Sequence, residues 1–233
     1  MTNTEILNAV AQAVNDGTFK RRTKAVMLGI LTDAQNYIID KTECLRKIDI
    51  TLTLAEGDGE INLPSGFVKF PTDDASIKRG LIGLGTGGAV VLTSTTTAFL
   101  NHEQPGWRNL DNGVPEFFYL IKSGTPKIGF FPKASSDFID ENGSGIYVDM
   151  VYRPTGTLAE DSNLPFDNST VLSGVFQVLQ KLRAIWQIKL EDMQFADADR
   201  VRLAVNEMFP EAQDFINSLL VVPGNHGFEE NFQ

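Results

Sequence analysis

Two pairs of neighbouring carboxylates, Asp73-Asp74 and Asp140-Glu141, are the chain's candidates for general acid and base work. Such work needs two groups held at a set distance across a substrate. Neighbours on a strand point to opposite faces and neighbours on a loop are solvated, so neither pair has that geometry. Both histidines, His102 and His226, fall in loop or tail sequence without a nucleophile motif, and His102-Glu103 lacks the second histidine of a zinc-binding helix. Gly83-x-Gly85-x-x-Gly88 has the spacing of a dinucleotide loop. The residues after it, Ala89-Val90-Val91-Leu92, read as a strand where that motif requires a helix, and no lysine completes a Walker-type phosphate loop.

Asp137, Asp140 and Glu141 stand among Ser, Gly and Asn, a set with calcium-binding chemistry but without the fixed spacing of an EF-hand; a solvated hairpin tip is the other reading. Cys44 is the only cysteine, which excludes an intramolecular disulfide and a thiolate zinc cage. The residues therefore predict a protein that is not an enzyme and has neither a cofactor nor a metal.

Thirty acidic against 20 basic residues give a formal charge of −10, which disfavours tight binding to nucleic acid. The basic residues that do cluster are Lys20, Arg21, Arg22 and Lys24, at the start of a helix whose dipole disfavours cations there. They form a solvated turn, or they meet an acidic partner surface or a phosphate backbone. No apolar run is long enough to cross a bilayer, and the N-terminus has no secretion signal.

The elements that would position these residues are legible in the periodicity. Thr2 and Glu5 have capping-box spacing before Ile6, Leu7, Val10, Ala11 and Val14, and a second helix starts around Arg21 to Thr23. From Leu45 the period changes to two: Ile48, Ile50, Leu52 and Leu54 alternate with polar residues, and Ile61-Asn62-Leu63 follows a turn as a returning strand. Thr93 to Leu100 reads as a short helical turn. Phe117 to Ile121 and Lys127 to Phe131 flank Ser123-Gly124-Thr125-Pro126 as a hairpin, apolar on both faces, so it must be covered on both sides. Ile146 to Arg153 is a further strand.

After a linker at 155–165, Asp167 to Ser169 offer N-caps for a long helix with Leu172, Val175, Phe176, Leu179, Leu182, Ile185 and Trp186 in its stripe. A last helix runs from about Asp197, is kinked or restarted at Pro210, and continues through Phe215, Ile216, Leu219 and Leu220. The fold class is α+β: a helical bundle built from 1–44 and 165–233, with an antiparallel β-sandwich or barrel inserted at 45–164 and a tail at 222–233.

The order helix pair, inserted sandwich with Trp107, closing helix pair after Leu164-Pro165, together with Gly113-x-Pro115-x-Phe117-Phe118-Tyr119, Lys127-Ile128-x-x-x-x-Pro132 and Ile61-x-Leu63-Pro64-x-x-Phe67, resembles the head-to-tail adaptor proteins of short-tailed phages. That resemblance implies a structural virion protein at the head-tail interface, assembled in the host cytoplasm. It implies a homo-oligomeric, dodecameric ring below the portal protein, through which genomic DNA passes without specific binding. The bundle would line the ring, the sandwich would project outward, and the ring would carry tail nozzle and fibre proteins. A C-terminal segment of such proteins runs along the portal, which assigns partner binding to His226, Phe228 and Phe232, beside Lys20, Arg21 and Arg22. A different class of function, a carbohydrate-binding module, would use aromatics such as Trp107 and Tyr119.

Overall fold

The computed structural model describes residues 2–71, 81–82, 90–142, 144–159 and 174–220. They form an α+β fold that divides into two compact units, Met1–Cys44 with Pro154–Gln233, and Leu45–Arg153.

The first unit holds α1 (Asn3–Ala13), α2 (Lys24–Thr42) and the two helices after the β strands, Val175–Glu191 and Phe195–Leu220. The capping box is formed: Thr2 Oγ1 accepts from the Glu5 N–H and Glu5 Oε2 accepts from the Thr2 N–H. Helix α2 is capped by Thr23, one residue before its first turn. Ile6, Leu7, Val10 and Ala11 of α1 meet Met27, Ile30, Leu31 and Ala34 of α2 and Ala184, Ile185 and Ile188 of the Val175–Glu191 helix in one buried cluster. Burying each of the Ile, Leu, Val and Met side chains among them contributes about 1.5–3 kcal/mol, which is why helices from both chain ends share a core. The chain after Pro154 returns to this unit: Asn3 Nδ2 donates to the Ala159 carbonyl at 2.7 Å and the Leu158 N–H donates to Thr32 Oγ1 at 3.0 Å.

The second unit holds β1 (Arg46–Thr53), β2 (Glu60–Asn62), β3 (Phe67–Lys69), β4 (Leu81–Ile82), β5 (Val90–Val91), β6 (Thr93–Ser94), α3 (Thr97–Glu103), β7 (Phe117–Ile121), β8 (Lys127–Phe131), α4 (Ser136–Asn142) and β9 (Gly145–Tyr152). In one sheet β9 pairs β1 antiparallel, and β3 and β4 also pair β9, with β5 beyond β4. The other sheet runs β2-β8-β7-β6. Its β6 is parallel to β7, a departure from the all-antiparallel expectation. The core between the sheets contains Leu52, Leu54, Leu63, Phe118, Ile128, Phe130, Ile146, Val148 and Met150.

The central hairpin forms as read, with Phe117 opposite Phe131 and Ile121 opposite Lys127. Both of its faces are covered. Phe118 and Phe130 enter the core between the sheets, and Tyr119 and Phe131 lie in a second cluster with Leu100 and Trp107. Trp107 meets Tyr119 and Phe131 edge-on, with ring centroids 5.3 and 5.6 Å apart, and donates its Nε1–H to Asn101 Oδ1 at 2.9 Å.

Several local expectations are corrected. The strand at 60–62 does not return against β1 but pairs β8 in the other sheet, and Leu63 continues that contact through its N–H to the Pro126 carbonyl. A register shift between Lys47 and Ile50 interrupts the alternation of β1. Where the sequence offers a solvated hairpin tip, the chain forms α4, whose Phe138 is buried. The first closing helix, α5 (Val175–Glu191), begins at Val175 after Gly174, with no side-chain cap; Asp167 to Ser169 and Leu172 lie outside the described residues. The second, α6 (Phe195–Leu220), passes through Pro210 as one helix. Pro210 is exposed, so water can satisfy the carbonyl one turn back that loses its N–H partner.

Candidate functional site

The α1–α2 loop folds around a carboxylate. Asp16, buried, accepts the backbone N–H groups of Lys20, Arg21 and Arg22 at 2.9, 3.0 and 2.8 Å. One side chain thus turns three successive amides inward, and the loop takes left-handed backbone at the non-glycine residues Asn15 and Phe19. Lys24 stands 5.6 Å over the Phe19 ring.

Arg22 is turned the other way from its neighbours. Its side chain is 14% exposed, and Nη2 donates to Asp192 Oδ1 at 2.6 Å and approaches Glu191 Oε2 at 3.5 Å. Arg22 therefore pins the α1–α2 loop to the turn between α5 and α6, while the Arg21 side chain stays largely outside at 3.6 Å from Asp192. Of the sequence candidates, Lys20 and Arg21 reach solvent and Arg22 is committed to an internal ion pair.

The turn so pinned presents apolar side chains. Met193, in left-handed backbone, is 77% exposed, Phe195 is 62% exposed, and Leu190 is exposed beside them. Val26, one turn into α2, is also exposed. This end of the helical unit is therefore a braced surface with cations and bare apolar groups side by side. Sequence periodicity misses it because Leu190, Met193 and Phe195 sit at a helix end and in a turn, where neither helical nor strand spacing applies. The left-handed Met193 is the one local signal, and it is a backbone property.

The hydrogen bond from Arg22 holds the Asp192 carboxyl below its ordinary range, and the Arg21 amide, with those of Arg22 and Lys20, does the same for Asp16. A carboxyl whose folded pKa is depressed stabilises the fold above its unfolded pKa, and loses that contribution as pH falls through the folded value. The unit is thus expected to lose melting temperature as pH drops from about 5 to 3. Thermal melts across that range should show a shallower decline for Asp192→Asn than for the parent; identical pH profiles would show that the pair carries no linkage.

Other candidates are placed as follows. His102 is exposed on α3, 2.8 Å from Glu103 Oε1. Asp137, Asp140 and Glu141 lie on α4, and among the described residues no three His, Cys, Asp or Glu side chains gather as a metal site. Asp73, Asp74, the 83–88 glycines, His226, Phe228 and Phe232 lie outside the described residues. Among the described residues no helix is long and apolar enough to cross a membrane. Trp107 is 4% and Tyr119 2% exposed, so neither ring can stack on a sugar. Burial also pushes the Tyr119 hydroxyl up to about 12.

Arg183 of α5 was not singled out by sequence. Its guanidinium lies 4.7 Å from the Tyr37 ring centroid and 4.5 Å from that of Trp186, and burial lowers its pKa. It ties α5 to α2 through ring contacts.

No curated protein matches the chain. The model of the SU10 adaptor protein family matches residues 1–222, nearly the whole length. With a helical unit drawn from both chain ends and a two-sheet unit from the sequence between them, the chain belongs to the SU10 adaptor protein family and is a structural phage adaptor of the virion.

Proposed function

We propose that the protein forms a homo-oligomeric ring, dodecameric by resemblance, that docks below the portal, extends the DNA channel and carries the tail nozzle and fibre proteins. In this reading the helical domain comprises 1–44 and 165–233, and 45–164 is the inserted β domain. The observation that carries it is the family match over residues 1–222. The net charge of −10 supports a channel along which DNA moves without sticking.

The tail from Asn225 to Gln233 is assigned to the portal through His226, Phe228 and Phe232. Lys20 and Arg21 are the exposed cations of the braced end, and Arg22 supports them from within.

Deleting residues 225–233 should leave the melting temperature within about 2 °C of the parent, because few apolar groups are lost. The same deletion should weaken portal capture by tenfold or more, on the order of the loss of one or two aromatic anchors. Pull-down on immobilised portal and a thermal melt of the same sample test both halves. Full portal binding by the truncated chain would remove the tail from the interface.

A further inference from the structure

We propose that the braced end of the helical unit is the contact for a second copy of this chain, and that it receives the acidic outer face of the neighbour's α6. This inference rests on the ring assembly proposed above and names the surfaces that would join its subunits.

The donor face follows from the periodicity of α6. Ala198, Val205 and Ala212 are buried at seven-residue spacing and define the inner side. The residues turned away from them are Arg200, Leu203, Glu207, Pro210, Glu211 and Asp214, all exposed. No basic residue follows Arg202 in this helix, so its outer half is uniformly acidic, with Leu203 bare at its edge.

The receiving end carries exposed cations and exposed apolar groups, with Glu191 and Asp197 also exposed at and just after the turn, the latter paired with Lys189. Lys20 and Arg21 of the α1–α2 loop and Lys24 at the start of α2 are exposed, and Leu190, Met193, Phe195 and Val26 are exposed as well. In a chain of net charge −10 this is the site where three exposed cations crowd within five residues. Cations alone would suit a phosphate backbone, but the exposed apolar groups gain nothing from phosphate and are matched by a protein face carrying a leucine among carboxylates. The surface is also prepaid in entropy, since Asp16 fixes the loop amides and Arg22 fixes the loop to the turn.

The two faces lie on different parts of the same unit, so their contact is heterologous: one copy gives α6 and accepts the next copy's α6, which closes into a ring where the rotation allows.

The test is charge exchange in the full-length chain, with ring assembly on purified portal read by native mass spectrometry and electron microscopy. Reversing one side, Lys20→Glu with Arg21→Glu, or the other, Glu207→Lys with Glu211→Lys, should lower the assembled fraction about tenfold or more. Combining both reversals in one chain should restore it. All of these residues are exposed, and circular dichroism of each variant is the check that it folds.

Rings forming equally well from each single-side reversal would overturn this contact while leaving the ring itself standing. A parent chain that binds portal without forming a ring would overturn both. Loss of retention on DNA-cellulose by Lys20→Glu with Arg21→Glu, with assembly intact, would assign the surface to phosphate instead.

Discussion

Replacing Gly129 with alanine is expected to destabilise the β unit by about 2–3 kcal/mol, the cost of forcing extra volume into a close-packed site. Gly129 on β8 sits directly opposite Tyr119 on β7, and a Cβ there would collide with the Tyr119 ring. The ring covers a position where a strand glycine contributes no side chain of its own, so an aromatic on one strand makes good the gap on the next. Tyr119 also meets Trp107, so displacing it disturbs the cluster that covers the outer face of the hairpin. Denaturant unfolding followed by near-ultraviolet circular dichroism should show the loss. The double variant Gly129→Ala with Tyr119→Ala should lose less than the two single losses added, because the colliding ring is gone. Strict additivity would place the cost of Gly129→Ala elsewhere.

Phe176→Ala is expected to be the most damaging single change in the helical unit, at about 3–5 kcal/mol. Phe176 lies in the first turn of α5 with no exposed surface, and its ring meets Phe215 of α6 edge-on at 6.2 Å. This contact clamps the start of α5 against the latter part of α6. The cavity left behind sits at the end of α5 that lacks a side-chain cap, where the helix has no local device to hold it. Thermal unfolding should fall by several degrees at least, and hydrogen exchange should rise over 207–220 before it rises over α1. A cost below about 1 kcal/mol would mean that the neighbours close over the void.

The parts of the fold legible in the sequence are those encoded locally. Thr2 and Glu5 announce α1 because both partners of the cap lie within one turn. The hairpin at 117–131 is legible because Gly124 and Pro126 sit in its turn and apolar residues fill both strands. What failed was either remote or short. The partner of β2 is β8, more than sixty residues on, and a three-residue strand carries no mark of which sheet it joins. Helix α4 is missed because Asp137, Asp140 and Glu141 read as solvated loop, although Ser135 Oγ accepts from the Phe138 N–H in the manner of an N-cap.

The braced end of the helical unit divides in the same way. The crowding of Lys20, Arg21, Arg22 and Lys24 is visible as composition, but it does not say that Arg22 turns inward. That depends on Asp192, which folding alone brings beside it. The buried position of Tyr119 follows from alternation across a hairpin covered on both faces, and Trp107 is a residue that covers it, which is why both pack as core and not as a sugar platform.

Assembly of this chain as a ring on the portal is open to direct test by cryo-electron microscopy of the full-length chain mixed with its portal. The expected result is a closed ring of copies seated below the portal, coaxial with the DNA channel, with density for residues 225–233 against the portal surface. Portal particles without a ring, with the chain remaining monomeric at concentrations well above those of assembly, would contradict it.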